Sequence, residues 1–123
     1  KAYPQLAGKL TGNAIRVPTP NVSLAILNLN VAKATDKIAV NEFLRDAALF
    51  SPLQHQIDYT ASKEIVSTDL VGSRSACVID SQATIVADDR ITLYVWYDNE
   101  YGYSCQVVRL AKYIAKVRRF SYY

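Results

Sequence analysis

The sequence predicts an α+β domain, a largely antiparallel β-sheet with helices packed on one face. Three observations carry that expectation. Residues 24–31 alternate, with Ala25, Leu27, Leu29 and Val31 toward one side and Asn28 and Asn30 toward the other, the two-residue period of a strand. Three more short runs, 75–80, 83–87 and 91–97, follow with only Ser81-Gln82 and Asp88-Asp89-Arg90 between them, a spacing that suits antiparallel hairpins. Two other stretches carry the longer repeat of an amphipathic helix.

Taken in order, residues 1–7 read as the tail of a helix that Gly8 stops as a C′ residue. Residues 11–17 alternate and then meet Pro18-Thr19-Pro20, which cannot continue in a central strand. The strand at 24–31 follows. Thr35 or Asp36 can cap the next helix, whose stripe is Val40, Phe43, Leu44 and Ala47 and whose end is Ser51-Pro52. The stretch 53–70 is polar and irregular, with a short strand expected at 64–67. After the three close-set strands, a last helix is expected from about 104 to 117. Val107, Val108, Ala111, Ile114 and Ala115 share one side of it; Arg109, Lys112, Lys116 and Arg119 share the other. The strand 91–97 is apolar or aromatic on both faces, Leu93 and Val95 against Tyr94 and Trp96. Helices on one side of a sheet leave the other wet, so burial against another subunit is expected.

The chain has 123 residues, enough for one domain with a core. Its 50% hydrophobic and 20% charged residues argue against disorder or a fibrous repeat. No apolar run approaches the roughly 20 residues that span a bilayer, and residues 1–12 lack the pattern of a secretory signal. Cys77 and Cys105 are too few for a disulfide scaffold, which makes a reducing cytoplasm the default. The net charge of +3 says little about partners. There is no methionine, and removal of an initiator is disfavoured before a side chain as large as Lys1. The chain therefore reads as a piece of something longer.

Two constellations carry chemistry. Arg16 lies in the apolar alternation before Pro18-Thr19-Pro20-Asn21-Val22-Ser23. An unpaired guanidinium inside a strand is costly, so it should reach solvent, a carboxylate or an anion, and its planar fork suits phosphate oxygens. The second is Trp96-Tyr97-Asp98-Asn99-Glu100-Tyr101-Gly102-Tyr103-Ser104, an aromatic strand running into a turn that opens a helix. Asn99 offers both a donor and an acceptor and can pair with a carboxamide. Gly102 lets another backbone or a flat ligand approach closely. A salt bridge for Arg16, and an ordinary capped turn for the second stretch, account for the same residues without any ligand.

Both stretches resemble signature segments of glyceraldehyde-3-phosphate dehydrogenase, in the same order and at a similar separation. Ile65-Val66-Ser67-Thr68-Asp69-Leu70-Val71-Gly72-Ser73 resembles the connection between them, and the likeness runs from Lys1 to about Leu110. The resemblance implies that this is a single partial C-terminal catalytic domain, residues 1–123. Arg16 then falls at the arginine that binds substrate phosphate or inorganic phosphate. Asn99 falls at the asparagine holding the nicotinamide carboxamide of NAD or NADP, and Tyr103 at the tyrosine beside that ring. The partners implied are glyceraldehyde 3-phosphate, inorganic phosphate and further copies of the chain in a homotetramer.

No catalytic residue is expected within the chain. It contains neither the Gly-x-Gly-x-x-Gly turn of a dinucleotide-binding domain nor the family's Ser-Cys-Thr-Thr-Asn-Cys nucleophile run. In the full enzyme that the resemblance implies, a thiolate attacks the aldehyde, hydride passes to the nicotinamide, and phosphate releases 1,3-bisphosphoglycerate. The fragment alone should be inactive. Cys77 reads as a small buried hydrophobe, Cys105 opens the last helix, and His55 lies in a polar loop. Erythrose-4-phosphate dehydrogenase shares the architecture and is the alternative enzyme. A binding module for anions or nucleic acid is the alternative of another class. It rests on the basic side of the last helix and the tail 116–123, for which a solvated helix face is the simpler account. An oligomerisation domain without activity is the third.

Overall fold

The computed structural model describes residues 3–117. Strand β5 (Arg90–Tyr97) is the spine of the sheet. Along one edge it pairs antiparallel with β1 (Ser23–Asn30) over the full length of both. Along the other edge it pairs antiparallel with two strands placed end to end. β3 (Cys77–Asp80) takes the Val95–Trp96 end and β4 (Ile85–Ala87) the Arg90–Thr92 end. Strand β2 (Ile57–Thr60) completes the sheet beside β3, and this one pairing is parallel. With helices α1 (Lys37–Phe50) and α2 (Tyr101–Ile114) the fold is α+β, as expected.

The core lies between α1 and one face of the sheet. Ile79, Ile91, Leu93 and Val95 are buried there, with Val40 and Leu44 of α1 and Ala25, Ile57 and Tyr59 packed against them. Asp36 rather than Thr35 caps α1: its extended backbone turns the side chain to accept from the Ala39 N–H at 2.8 Å. The stripe that faces the sheet is Val40, Asn41, Leu44, Ala47 and Ala48. Phe43, expected in that stripe, is 73% exposed. These positions advance by one, three, three and one, which leaves position 43 on the flank of the helix.

Four further expectations are corrected. Residues 11–17 form no strand; no described residue pairs with them, and Ile15 and Val17 stand exposed. The strand expected at 64–67 lies earlier, as β2, and Ser67–Leu70 is a single 3-10 turn. Strands β3 and β4 do not form a hairpin with each other. The link Ser81–Ala83 is a 3-10 turn tied to other elements: Ser81 Oγ donates to the Thr60 carbonyl at 2.7 Å and the Asn41 amide donates to the Ser81 carbonyl at 3.0 Å. The chain is thereby carried along the edge of β5 instead of reversing. The hairpin between β4 and β5, through Asp88-Asp89, does form. At the start of the chain, the expected helix tail is a 3-10 turn, Pro4–Leu6, followed by Gly8 at φ +75°.

Helix α2 begins and ends three residues earlier than expected, and it is rotated. Gly102 is buried and Cys105, Gln106 and Arg109 are half-buried, while Val107, Val108, Leu110 and Ile114 are exposed. The apolar side that carries Val107, Val108 and Ile114 thus faces solvent. Polar contacts decide this rotation. The Gln106 amide donates to the carbonyls of His55 and Arg74, both at 3.0 Å, and Arg109 Nε donates to Gln106 Oε1 at 3.0 Å. Arg109 thus leaves the basic solvent side assigned to it, and Arg119 and the tail 118–123 lie outside the described residues.

The second face of the sheet carries Leu24 and Ile26 of β1, both exposed, opposite Trp96 and Tyr94 of β5. Trp96 Nε1 donates to Asp80 Oδ2 at 3.3 Å beneath this face, where Asp80 is buried. The two-sided character expected of the strand at 91–97 is therefore present.

Candidate functional site

Strand β5 ends at Tyr97, and the next residue organises everything around it. Asp98 is 3% exposed. Its Oδ1 accepts from the N–H groups of Glu100 and Tyr101 at 2.9 and 2.8 Å, closing a ring of bonds around Asn99 and supplying the first turn of α2 with an acceptor. Its Oδ2 accepts from the Gly72 N–H at 3.0 Å. The Gly72 hydrogen bond lowers the Asp98 pKa most, and those from Tyr101, Glu100 and the Asn21 side chain add to it, against the opposing effect of burial. A buried carboxylate held by this many donors stays ionised.

The donors come from three remote parts of the sequence. Asn21 belongs to the Pro18–Ser23 stretch, Gly72 to the 65–73 connection, and Glu100 and Tyr101 to the aromatic turn. Ser23 makes a further tie between the first and third, accepting from Asn99 Nδ2 at 3.4 Å. The approach to β1 is itself constrained, since buried Val22 holds φ at +73°, a region that β-branched residues rarely occupy. Strain of this kind persists only where the surroundings over-determine it.

The third tie is steric. A Cβ on Gly102 would lie 2.8 Å from the Ser75 carbonyl oxygen and 3.2 Å from that of Ser73. Of the two approaches that Gly102 allowed, a backbone makes this one, so the start of α2 lies pressed against the 73–75 segment.

On this frame Asn99 is exposed at the outer side of the turn, with its backbone held on both sides. Tyr103 sits in the first turn of α2, its N–H directed at the Asp98 carbonyl at 3.4 Å and its ring 68% exposed. A primary amide and an aromatic ring are therefore both exposed on this turn and the helix it opens. Arg16 lies upstream of Ser23 on the irregular segment and is exposed, with no ion-pair partner among the described residues. The premise that it sits in an apolar strand is corrected: its guanidinium is free in solvent and pays no burial cost.

The remaining candidates stay apart from this site. Cys77 is half-buried against the core, and burial, with Asp58 nearby, pushes its thiol pKa up, as befits a packing residue. Cys105 is half-buried on α2 and His55 is exposed in its loop, lending only its carbonyl to Gln106. No group of three or more potential metal ligands occurs among the described residues. Nor is any described helix long and apolar enough to cross a membrane. Asp98, Ser23, Gly72 and Gln106 were not singled out as functional from sequence. Asp98 had a signal, an Asp at the end of a strand and three residues before a helix; Gln106 had none.

Comparison with known proteins identifies the family. Residues 1–99 match the family model described as glyceraldehyde 3-phosphate dehydrogenase, C-terminal domain. A glyceraldehyde-3-phosphate dehydrogenase-like protein of Pseudomonas aeruginosa (strain UCBPP-PA14) is 65% identical over 117 residues, which is 95% of this chain and 25% of the relative. The testis-specific glyceraldehyde-3-phosphate dehydrogenase of Mus musculus is 44% identical, over 93% of this chain and 26% of its own length. The glyceraldehyde-3-phosphate dehydrogenase of Glossina morsitans morsitans is 43% identical, over 93% of this chain and 34% of its own length. The chain thus spans about a quarter to a third of the relatives it matches. With its three signature stretches meeting at one buried carboxylate and the family model covering most of its length, the chain belongs to the glyceraldehyde-3-phosphate dehydrogenase C-terminal domain family.

Proposed function

We propose that this chain is the C-terminal part of a phosphorylating glyceraldehyde-3-phosphate dehydrogenase of the cytoplasm, in which it orients the nicotinamide and binds phosphate. The observation that carries the reading is the turn at Asp98: a buried carboxylate fixes the backbone on both sides of Asn99 and leaves that residue's amide, with the Tyr103 ring, facing outward. Asn99 and Tyr103 fit the carboxamide and the ring of NAD or NADP and would hold that end of the cofactor. The cofactor, when bound, supplies the hydride acceptor. Arg16, exposed and charged, would bind the phosphate of glyceraldehyde 3-phosphate or the attacking inorganic phosphate. Such groups act by orientation and electrostatics. The nucleophile, its base and the dinucleotide-binding domain would come from the rest of the longer polypeptide. Exposed Leu24 and Ile26 on the second sheet face support assembly into a homotetramer through that face.

The test compares this chain with the full-length polypeptide containing it, given NAD, glyceraldehyde 3-phosphate and phosphate. Full-length protein should produce NADH and the chain alone should not. Turnover by the isolated chain would overturn the division of labour. A full-length protein that prefers erythrose 4-phosphate would move the reading to the related dehydrogenase.

A further inference from the structure

Asn99 can orient a carboxamide only if its own amide holds one direction. A side chain on an exposed turn ordinarily samples several rotamers, and ordering it on binding costs affinity. Two residues, Asp98 and Ser23, oppose that freedom here. The Asp98 carboxylate bonds to the N–H groups of residues 100 and 101, so the peptide units after Asn99 are pinned to the residue before it. Its second oxygen is anchored on Gly72, so the whole turn is referenced to a segment outside β5 and α2. Ser23 Oγ then takes one end of the Asn99 amide, leaving the other end for a ligand. Asp98 is itself buried, with both carboxylate oxygens already engaged by backbone N–H groups.

Resting on the nicotinamide reading above, we propose that Asp98, together with Ser23, is the positioning device for Asn99: Asp98 sets the backbone and Ser23 sets the amide. The same carboxylate also aims Tyr103, because it starts the helix whose first turn carries that ring. Asp98 is therefore a positioning residue, and its effect should be confined to the nicotinamide end of the cofactor.

The experiment uses the full-length polypeptide and compares the affinity of NAD with that of ADP-ribose, which lacks the nicotinamide. Asn99→Ala tests the underlying reading, and Asp98→Asn and Ser23→Ala test the proposal. Asp98→Asn keeps the shape of the side chain but removes its charge and turns a donor toward an N–H that needs an acceptor. We expect it to weaken NAD binding and lower kcat by about 10- to 100-fold while ADP-ribose binding is unchanged, with Ser23→Ala moving both in the same direction by a smaller factor. Leu93→Ala, a core change remote from the turn, should lower Tm without altering the preference for NAD. If Asn99→Ala removes the preference but Asp98→Asn and Ser23→Ala retain it, the positioning proposal is overturned and the nicotinamide reading stands. Equal losses of NAD and ADP-ribose binding in Asp98→Asn would reduce Asp98 to a holder of the fold. If Asn99→Ala leaves the preference intact, the nicotinamide reading fails and takes the proposal with it. Should Asp98→Asn not fold, Ser23→Ala decides alone, since its hydroxyl lies on a half-buried site that tolerates alanine.

Discussion

Replacing Gly102 by alanine adds one carbon where the backbone of another segment already lies. The new Cβ would stand 2.8 Å from the Ser75 carbonyl oxygen and 3.2 Å from that of Ser73, and neither can rotate away as a side chain would. Either α2 lifts off the 73–75 segment or that segment moves, and both disturb the Gly72–Asp98 hydrogen bond beside it. Overpacking of this kind costs about 1–3 kcal/mol. Alanine returns up to about 1 kcal/mol of helix propensity, and less in a first turn. The net loss should be about 1–2 kcal/mol, which in a domain of this size lowers Tm by roughly 3–10 °C. Urea and thermal unfolding followed by circular dichroism would measure it, with an unchanged urea slope showing that stability rather than the denatured state has moved. Gly12→Ala is the control, since a Cβ there meets nothing within 4 Å; it should change stability by less than about 0.5 kcal/mol. A Gly102→Ala protein that melts at or above the wild-type temperature would refute the claim that α2 is seated on those carbonyls.

Three other outcomes follow from the same contacts. Because the Asp98 pKa is lowered on folding from its ordinary 3.8, its contribution to stability is present above that value and is lost as pH falls through the lower, folded one. Asp98→Asn should therefore flatten the acid side of a stability–pH profile, and an unchanged profile would contradict the assignment. The Cys77 thiol, its pKa raised first by burial and then by Asp58, should alkylate more slowly in the folded chain than in urea; Asp58→Asn should hasten the folded-state reaction without changing that in urea. Asp36→Ala removes the acceptor for the Ala39 N–H and should cost α1 about 1 kcal/mol in urea unfolding, against almost nothing for Thr35→Ala.

Much of the fold was legible because local periodicity reports burial. The run 24–31 is β1 within one residue at each end, although Leu27 and Leu29 are exposed; the run 91–97 is β5 almost residue for residue, and Asp36 and Ser51 bracket α1. Failures occurred where the deciding contact lay far away in sequence. Residues 11–17 alternate like a strand, yet alternation needs a partner, and no described residue supplies one. Strand β2 is too short to show a period, and it exists because β3 runs beside it. The apolar side of α2 was identified, but its exposure was not legible, since the helix is seated through Gln106 and Gly102 rather than through Val107, Val108 and Ile114.

By itself, the sequence determined the fold class, the family resemblance and the residue types that could meet a nicotinamide, since these follow from local pattern and side-chain chemistry. Only the tertiary structure decided how they are held. Asn21, Gly72 and Asn99 are separated by long stretches of chain, and nothing in their spacing announces that their segments converge on the Asp98 carboxylate. The convergence arises because β1 and β5 are paired along their whole length, which sets Ser23 opposite Tyr97 and the Pro18–Ser23 stretch beside the turn. A buried charge must collect donors from whatever the fold places around it, and those donors hold the turn that carries Asn99 and leads into Tyr103.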